Sequence, residues 1–219
     1  MTATVRATAN LKAAVILCGG DSRRMGTDKA LVDVDGSPLL QRHVAAIRRL
    51  NLGVPIYISS GAKRYAILGD CDVTYVDDVV AGAGPLSGLA GALSAAEKAG
   101  VSDGHIFAMP VDTLLPPCVL LNKLTKAELA GSGVALIKGE RLHPVHGLFP
   151  ISTAARLRTF VQSGGRAVMA FLDTLSIKEV AIGEEWELCL NFNYPDEFVA
   201  AREALAKLHE STLRSDCRL

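Results

Sequence analysis

The chain has no net charge to offer a polyanion. Lys plus Arg and Asp plus Glu each number 23 in 219 residues. Wholesale binding to nucleic acid or to an anionic membrane surface rests on a basic excess, so neither is expected, and any anion site must be local. Long apolar runs are missing too. No stretch approaches the roughly 18 residues of a membrane span, and the opening MTATVRATANLK has no hydrophobic signal core. Cysteine is scarce and dispersed. Its five positions, 18, 71, 118, 189 and 217, form no CxxC. An odd, unclustered set predicts a reducing compartment, no disulfide framework and no zinc site. The expectation is a cytoplasmic protein. Two familiar phosphate loops are also absent. Gly26 is followed by Thr27 where a P-loop needs Lys, and Gly19-Gly20 runs into Asp-Ser-Arg where a dinucleotide fingerprint needs GxGxxG.

What is present is a large apolar fraction, 49%, enough for a core on two faces of a sheet, in a length that suits one domain. AVILC (14–18) is a continuous apolar run ending at Gly-Gly, the mark of a strand buried on both faces. In GSPLLQRHVAAIRRL, Ser37 reads as N-cap and Pro38 as first helical residue, with Leu40, Val44 and Ile47 on one face. Strands follow at 54–60 and 72–78, with a short helix near 61–68 between them. The glycine loop AGAG then feeds a helix in which Gly84, Gly88 and Gly91 permit close approach to neighbours. HIFAMPVD (105–112) is a fourth strand, followed by a helix over 117–130; 133–138 and 144–149 read as paired strands. Helices near 151–163 and 166–174, a strand near 177–182 and a helix from Pro195 with Phe198, Ala201, Leu205 and Leu208 in its apolar stripe complete the chain. This alternation predicts an α/β fold of three layers, α/β/α, around a doubly wound, mostly parallel sheet. A single domain over 13–210 is expected between a loose tail, 1–12, and a frayed end, 211–219.

Ligands of such sheets bind beyond the carboxyl ends of the strands. Residues 19–29, 59–61, 77–88 and 112–117 all follow strand ends and should meet in one cleft. In the first of these, glycines bring backbone N–H groups close to an anion. Arg24 offers a planar fork and Lys29 a point charge for phosphoryl oxygens.

LCGGDSRRMGTDK resembles the LxGGxSxRMGxDK signature of the molybdenum cofactor guanylyltransferases, with Gly19, Gly20, Ser22, Arg24, Met25, Gly26, Asp28 and Lys29 in place. VDDVVAGAGPLSGLAGAL is similar to the family's acidic strand end followed by GPLxG, MPVDTLLPP to its metal-binding Asp segment, HPVHGLF to its HPxxGL stretch, and NFNYPDEF to its NxNxPxE segment. The likeness runs from about residue 13 to 202. It implies a Rossmann-related, GT-A-like nucleotidyltransferase fold. It also implies a Mg²⁺-dependent reaction that joins the GMP part of GTP to the terminal phosphate of molybdopterin and releases pyrophosphate. Partners would be GTP, molybdopterin, and proteins that donate the cofactor or mature the acceptor molybdoenzyme.

By the same resemblance Arg24, Lys29 and Asp112 are catalytic, and Asp112 holds the metal. Leu17, Cys18, Gly19, Gly20, Ser22, Arg24, Gly26, Lys29, Ser59, Asp78, Gly84 and Asp112 would then bind the nucleotide. The second substrate is expected from the C-terminal half. Arg166 follows two glycines and precedes a helix. Asn191 and Asn193 lie two apart and would share a face on a strand. With His143, these three are the residues expected to meet molybdopterin. Rival roles stay open at this point. Asp112 could cap the helix near Pro116 or Pro117; Asp77 competes with Asp78 for the base. Cys18 reads as a packing residue. His143 and His146 form an HxxH pair for which contact with the bulky cofactor is favoured over a metal, no third ligand being near in sequence. Arg166 could be a surface residue, and Asn193 could cap the last helix. Alternative functions are a CTP-dependent transferase acting on molybdopterin or a sugar or polyol phosphate, and a non-catalytic GTP-binding protein that delivers the cofactor.

Overall fold

The computed structural model describes residues 10–19, 25–69, 71–127, 129, 133–208 and 217. Strands β1 (Leu11–Leu17), β4 (Ile56–Ser59), β5 (Thr74–Val76), β6 (His105–Pro110), β7 (Val134–Lys138), β8 (Leu142–Pro150) and β9 (Ile177–Ala181) form one sheet in the order β5-β4-β1-β6-β8-β7-β9. All neighbouring pairs are parallel except those of β8, which runs against both β6 and β7. The helices are α1 (Leu39–Arg49), α2 (Pro85–Lys98), α3 (Pro117–Thr125), α4 (Ala154–Gln162), α5 (Val168–Leu172) and α6 (Pro195–Lys207).

β1 explains the layering. Its side chains alternate, as those of any strand must. Ala14 and Ile16 enter a core shared with Leu40, Val44 and Ile47 of α1, Leu120 and Leu124 of α3, and Ala201 of α6. Ala13, Val15 and Leu17 enter the opposite core with Leu89 and Leu93 of α2, Leu157 of α4 and Phe171 of α5. The expected three-layer, mostly parallel fold is what the chain adopts. No helix among the described residues is long and apolar enough to cross a membrane.

Several boundaries differ from expectation, each for a local reason. β1 begins at Leu11, inside the stretch read as a tail, because Leu11 is buried and the His105 N–H donates to the Asn10 carbonyl. Helix α1 opens one residue later than expected, with Pro38 as its N-cap and without a side-chain cap from Ser37; Ser37 and Pro38 are otherwise engaged. They form β3 and pair with β2 (Asp33–Val34) in a hairpin turned by Asp35 and Gly36 at φ +53° and +82°. An Asp-Gly pair with both φ positive is the tight-hairpin signature, and it outcompetes the cap signal. The helix near 61–68 shrinks to a 3₁₀ turn at Ala66–Leu68. The expectation of no disulfide is overturned: Cys118 at the start of α3 is bonded to Cys217, across 99 residues of sequence. Cys18 and Cys189 are free and buried, and Cys71 is free and half-buried.

Candidate active site

The order β4-β1-β6 puts the switch in winding direction at β1, where the loops after β1 and β6 part and leave a crevice. A cavity of about 550 Å³ opens there, lined by Leu17, Cys18 and Gly19 from the β1 end and by Val111 and Asp112 from the β6 end. Lys29 reaches it from a 3₁₀ turn, Lys29–Leu31. Asp28 caps that turn by accepting from the Ala30 N–H at 3.1 Å, and its carboxylate is gripped by Lys63 at 2.7 Å and by the Tyr65 hydroxyl. Burial works against the Asp28 charge, but the Lys63 and Ala30 hydrogen bonds, the Lys63 charge and the Tyr65 hydroxyl together hold it below the usual carboxylate range. Asp28 is thus an anchor for the turn that aims Lys29.

The Lys29 ammonium donates to Asp112 Oδ2 at 2.8 Å, to the Phe192 carbonyl at 2.8 Å and to Asn193 Oδ1 at 2.9 Å. Residues separated by more than 160 positions therefore meet at one cation. Around Asp112 the backbone is sewn down. The Val111 N–H donates to the Leu17 carbonyl and the Phe192 N–H to the Asp112 carbonyl. His43 Nε2 lies 3.2 Å from the Val111 carbonyl. The Thr113 hydroxyl and the Leu114 and Leu115 N–H groups all donate to the Cys189 carbonyl. Two rival readings end here. The N-cap of α3 is Pro116 and that of α6 is Tyr194, neither with a side-chain cap. Asp112 and Asn193 are thereby left to Lys29.

The next strands over carry a second constellation. Ser59, at the end of β4, pairs with Leu17 of β1, and its hydroxyl donates to Asp78 Oδ1 at 3.2 Å. Helix α2 can sit against this pair because it lacks side chains there. A Cβ on Gly88 would lie 2.0 Å from Ser59 Oγ, and one on Gly91 2.1 Å from the Asp77 carbonyl oxygen. Gly84, at φ +78°, makes the turn into the helix. Asp77 is exposed and meets Arg64 at 3.4 Å, whereas Asp78 is half-buried. Burial raises the Asp78 pKa, Asp77 adds to this and the Ser59 hydrogen bond opposes it. Cys18 is buried, with burial and the carboxylates of Asp28 and Asp112 pushing its thiol up, so it is a packing residue and no nucleophile. Gly26 adopts φ +67°. Gly20, Ser22 and Arg24 lie outside the described residues.

Because β8 runs backwards, its first half lies at the carboxyl tips of the parallel strands. Arg141, His143 and His146 line the cavity in consequence, together with Asn191, Asn193, Pro85 and Met169 from other segments. Arg141 donates to Asn191 Oδ1 at 3.1 Å. Arg166 is not among the lining residues. It is exposed and donates to the Val161 and Gly165 carbonyls at the end of α4. Sequence reasoning missed Arg141, whose only signal was its place two residues before His143. It also missed the Phe192 carbonyl, which has no side-chain signal at all.

Residues 14–177 match the MobA-like NTP transferase domain. The chain is 30% identical over 197 residues to a probable molybdenum cofactor guanylyltransferase of Opitutus terrae, covering 87% of this chain and 95% of that protein. It is 31% identical over 183 residues to a molybdenum cofactor guanylyltransferase of Yersinia pestis, covering 83% and 90%. The crystal structure of molybdopterin-guanine dinucleotide biosynthesis protein A from Archaeoglobus fulgidus superposes with a TM-score of 0.69 at 20% identity, over 90% of this chain and all of that one. With strand tips, ion pair and glycine-backed acid arranged as above, the chain belongs to the MobA-like NTP transferase domain family and is a nucleotidyltransferase.

Proposed function

We propose that the protein transfers GMP from GTP to the terminal phosphate of molybdopterin, releasing pyrophosphate, with Mg²⁺ held at Asp112. The observation that carries this reading is the Lys29–Asp112 pair at 2.8 Å at the mouth of the β1–β6 crevice. A phosphate nucleophile is ionised near neutral pH and needs no strong base. The obstacle is repulsion between anions and the charge gathering on the leaving pyrophosphate, for which cations and positioning are the remedy.

In this reading an oxygen of the acceptor phosphate attacks the α-phosphorus of GTP, the bond from that phosphorus to the β-phosphate bridge breaks, and pyrophosphate leaves with both electrons of that bond. Lys29 turns from its protein acceptors toward phosphoryl oxygens. The β1-end backbone, Gly19 with Gly20, and the side chains of Ser22 and Arg24 cradle the triphosphate. The donor set suits Mg²⁺. Among the described residues no three His, Cys, Asp or Glu side chains cluster to enclose a metal. Asp112 offers one hard oxygen ligand, and Mg²⁺ characteristically takes the rest from water and substrate phosphates. When bound there, the ion supplies further neutralisation of the triphosphate charge.

Asp78 reads guanine by accepting from its N1–H and exocyclic amine, held in place by the Ser59 hydroxyl. A desolvated carboxylate gains most from just such donors. His143, Asn191 and Asn193 face the acceptor. The test is pyrophosphate release with GTP or CTP, Mg²⁺ and molybdopterin, each omitted in turn. Release is expected only with GTP, metal and molybdopterin together. Preference for CTP, or release indifferent to molybdopterin, overturns the reading.

A further inference from the structure

β8 carries a distortion that phosphoryl transfer does not require. Leu136 of β7 pairs with Gly147 and Lys138 with Leu142, so two steps along β7 are matched by five along β8. Three surplus residues are therefore accommodated within 143–146, His-Pro-Val-His, and Pro144 has no N–H for a ladder. On the other side, pairing with β6 reaches only to Gly147. In a regular strand, residues 143 and 146 face opposite sides. Here both rings line the same cavity, 5.3 Å apart and nearly perpendicular.

Both rings are buried, His143 5% and His146 2% exposed. Neither nitrogen of His146 and not Nε2 of His143 finds a hydrogen-bond partner among the described residues. The Glu187 carboxylate stands 3.9 Å from His143 Nε2, outside bonding range. Buried polar atoms without partners are costly, and an aliphatic side chain would fill the same wall without that cost. A ligand that supplies the missing partners accounts for them. Burial pushes His146 down to about 3, the neighbouring His143 and His43 adding to this; a backbone group of Leu190 lies near enough to favour the charged ring but outside hydrogen-bonding geometry, so it does not satisfy either nitrogen. A neutral imidazole presents one N–H and one lone pair. A phosphate offers acceptors only and is served by Lys29 and Arg141 of the same cavity. The two nitrogens of one ring point in divergent directions, but with the rings 5.3 Å apart His143 and His146 can set a donor from one beside an acceptor from the other. That pair matches instead the edge of an uncharged nitrogen heterocycle, where ring nitrogens, carbonyl and amine alternate.

We propose that His146, presented with His143 by the 143–146 bulge, determines acceptor specificity by supplying one half of the hydrogen-bonding pair, His143 the other, that meets the donor–acceptor edge of the acceptor's heterocycle. Under the function proposed above, on which this identification rests, that heterocycle is the pterin. The test compares wild type with His146→Leu and His146→Gln. KM for molybdopterin should rise at least ten-fold in His146→Leu, recover in part in His146→Gln, and leave GTP binding measured without acceptor unchanged within two-fold. The unliganded His146→Leu protein should melt higher, since the unpartnered nitrogens are gone. A folded His146→Leu enzyme with an unaltered KM for molybdopterin overturns the proposal, and His146→Phe, which also lacks donor and acceptor, carries the same comparison should the leucine variant not fold. A second arm needs no turnover: ¹⁵N-imidazole spectra of the wild type titrated with 6-hydroxymethylpterin. Saturable movement of the His146 signal, absent with GTP alone, is expected; no movement at millimolar pterin overturns the proposal. If the pterin moves His146 but molybdopterin supports no pyrophosphate release, the acceptor assignment fails while the role of His146 stands.

Discussion

Replacing Lys29 by methionine keeps the aliphatic stem and removes one ammonium from among Asp112, Phe192 and Asn193. Two unit charges at the observed 2.8 Å attract by about 6 kcal/mol at an effective dielectric of about 20. Desolvation of both groups offsets most of that. The side chains are 15% and 23% exposed, so water reaches the abandoned carboxylate and softens the loss. The net destabilisation expected is about 1–3 kcal/mol. Asp112→Asn leaves Lys29 an oxygen acceptor and should cost about 1 kcal/mol or less. A double-mutant cycle in urea should then return a coupling of about 1 kcal/mol.

The rates should fall much further than the stabilities. Under the proposed reaction, either change should remove stabilisation of the charge that gathers on the leaving group, an effect of roughly 10²–10³ in kcat. The two variants should differ in the other constant. If Lys29 meets phosphate in both ground and transition states, as proposed, KM for GTP should rise in Lys29→Met. Asp112→Asn should change GTP affinity little. The assay is pyrophosphate release at saturating acceptor, with folding checked at the same temperature. A Lys29→Met enzyme that loses stability but turns over within about three-fold of wild type would make the pair a structural brace, and the phosphate argument would fail.

Other consequences can be checked together. Gly88→Ala places a methyl 2.0 Å from Ser59 Oγ and 2.9 Å from Ser59 Cβ; the hydroxyl can rotate away but the Cβ cannot. The variant should lose about 1–3 kcal/mol in urea and discriminate GTP from CTP less sharply in kcat/KM. His43 is buried, and burial holds its pKa down at about 4 against an ordinary 6.5. The unfolded chain therefore binds more protons between those values, so the contribution of His43 is complete above about pH 6.5 and lost as pH falls toward 4. His43→Gln should accordingly narrow its stability deficit against wild type across that window, read as urea midpoints at successive pH values; parallel curves would count against it. Cys217→Ser opens a loop of 99 residues and should lower stability under oxidising conditions by up to about 4.7 kcal/mol on the chain-entropy account. Excess reductant should erase the difference between variant and wild type.

Much of the sheet was legible because its signals are local. The apolar run of β1 announced burial on both faces, and the alternation of Ala13 to Leu17 between two cores follows directly from it. The glycines of α2 were legible for the same reason: Gly88 and Gly91 lie at contacts that only a missing side chain allows. Errors arose where two local signals competed, or where a contact was distant. Asp35-Gly36 and Ser37-Pro38 offered a hairpin turn and a helix start within four residues; the hairpin drew Ser37 and Pro38 into a strand and pushed the helix start one residue on, to Leu39 after an N-cap at Pro38. The Cys118–Cys217 bond has no local signal, since nothing in the spacing of five scattered cysteines selects that pair.

At the site the same distinction separates what was read from what was not. Lys29 and Asp112 each follow a strand end, so their meeting could be anticipated from topology alone. Their supports could not. The 111–115 loop is fixed to 189–193 mostly through backbone groups, above all the Cys189 carbonyl, which accepts from Thr113, Leu114 and Leu115. Backbone acceptors leave no trace in residue type. β8 is the deeper case. A parallel strand would send its beginning, Leu142 to His146, to the amino edge of the sheet, away from the crevice. Running antiparallel between β6 and β7, it delivers Arg141 and both histidines to the carboxyl edge. One reversed strand thus gives a doubly wound sheet an additional wall at its crevice without lengthening any loop. The bulge within that strand then turns two imidazoles inward where simple alternation would have spent one of them on the far face.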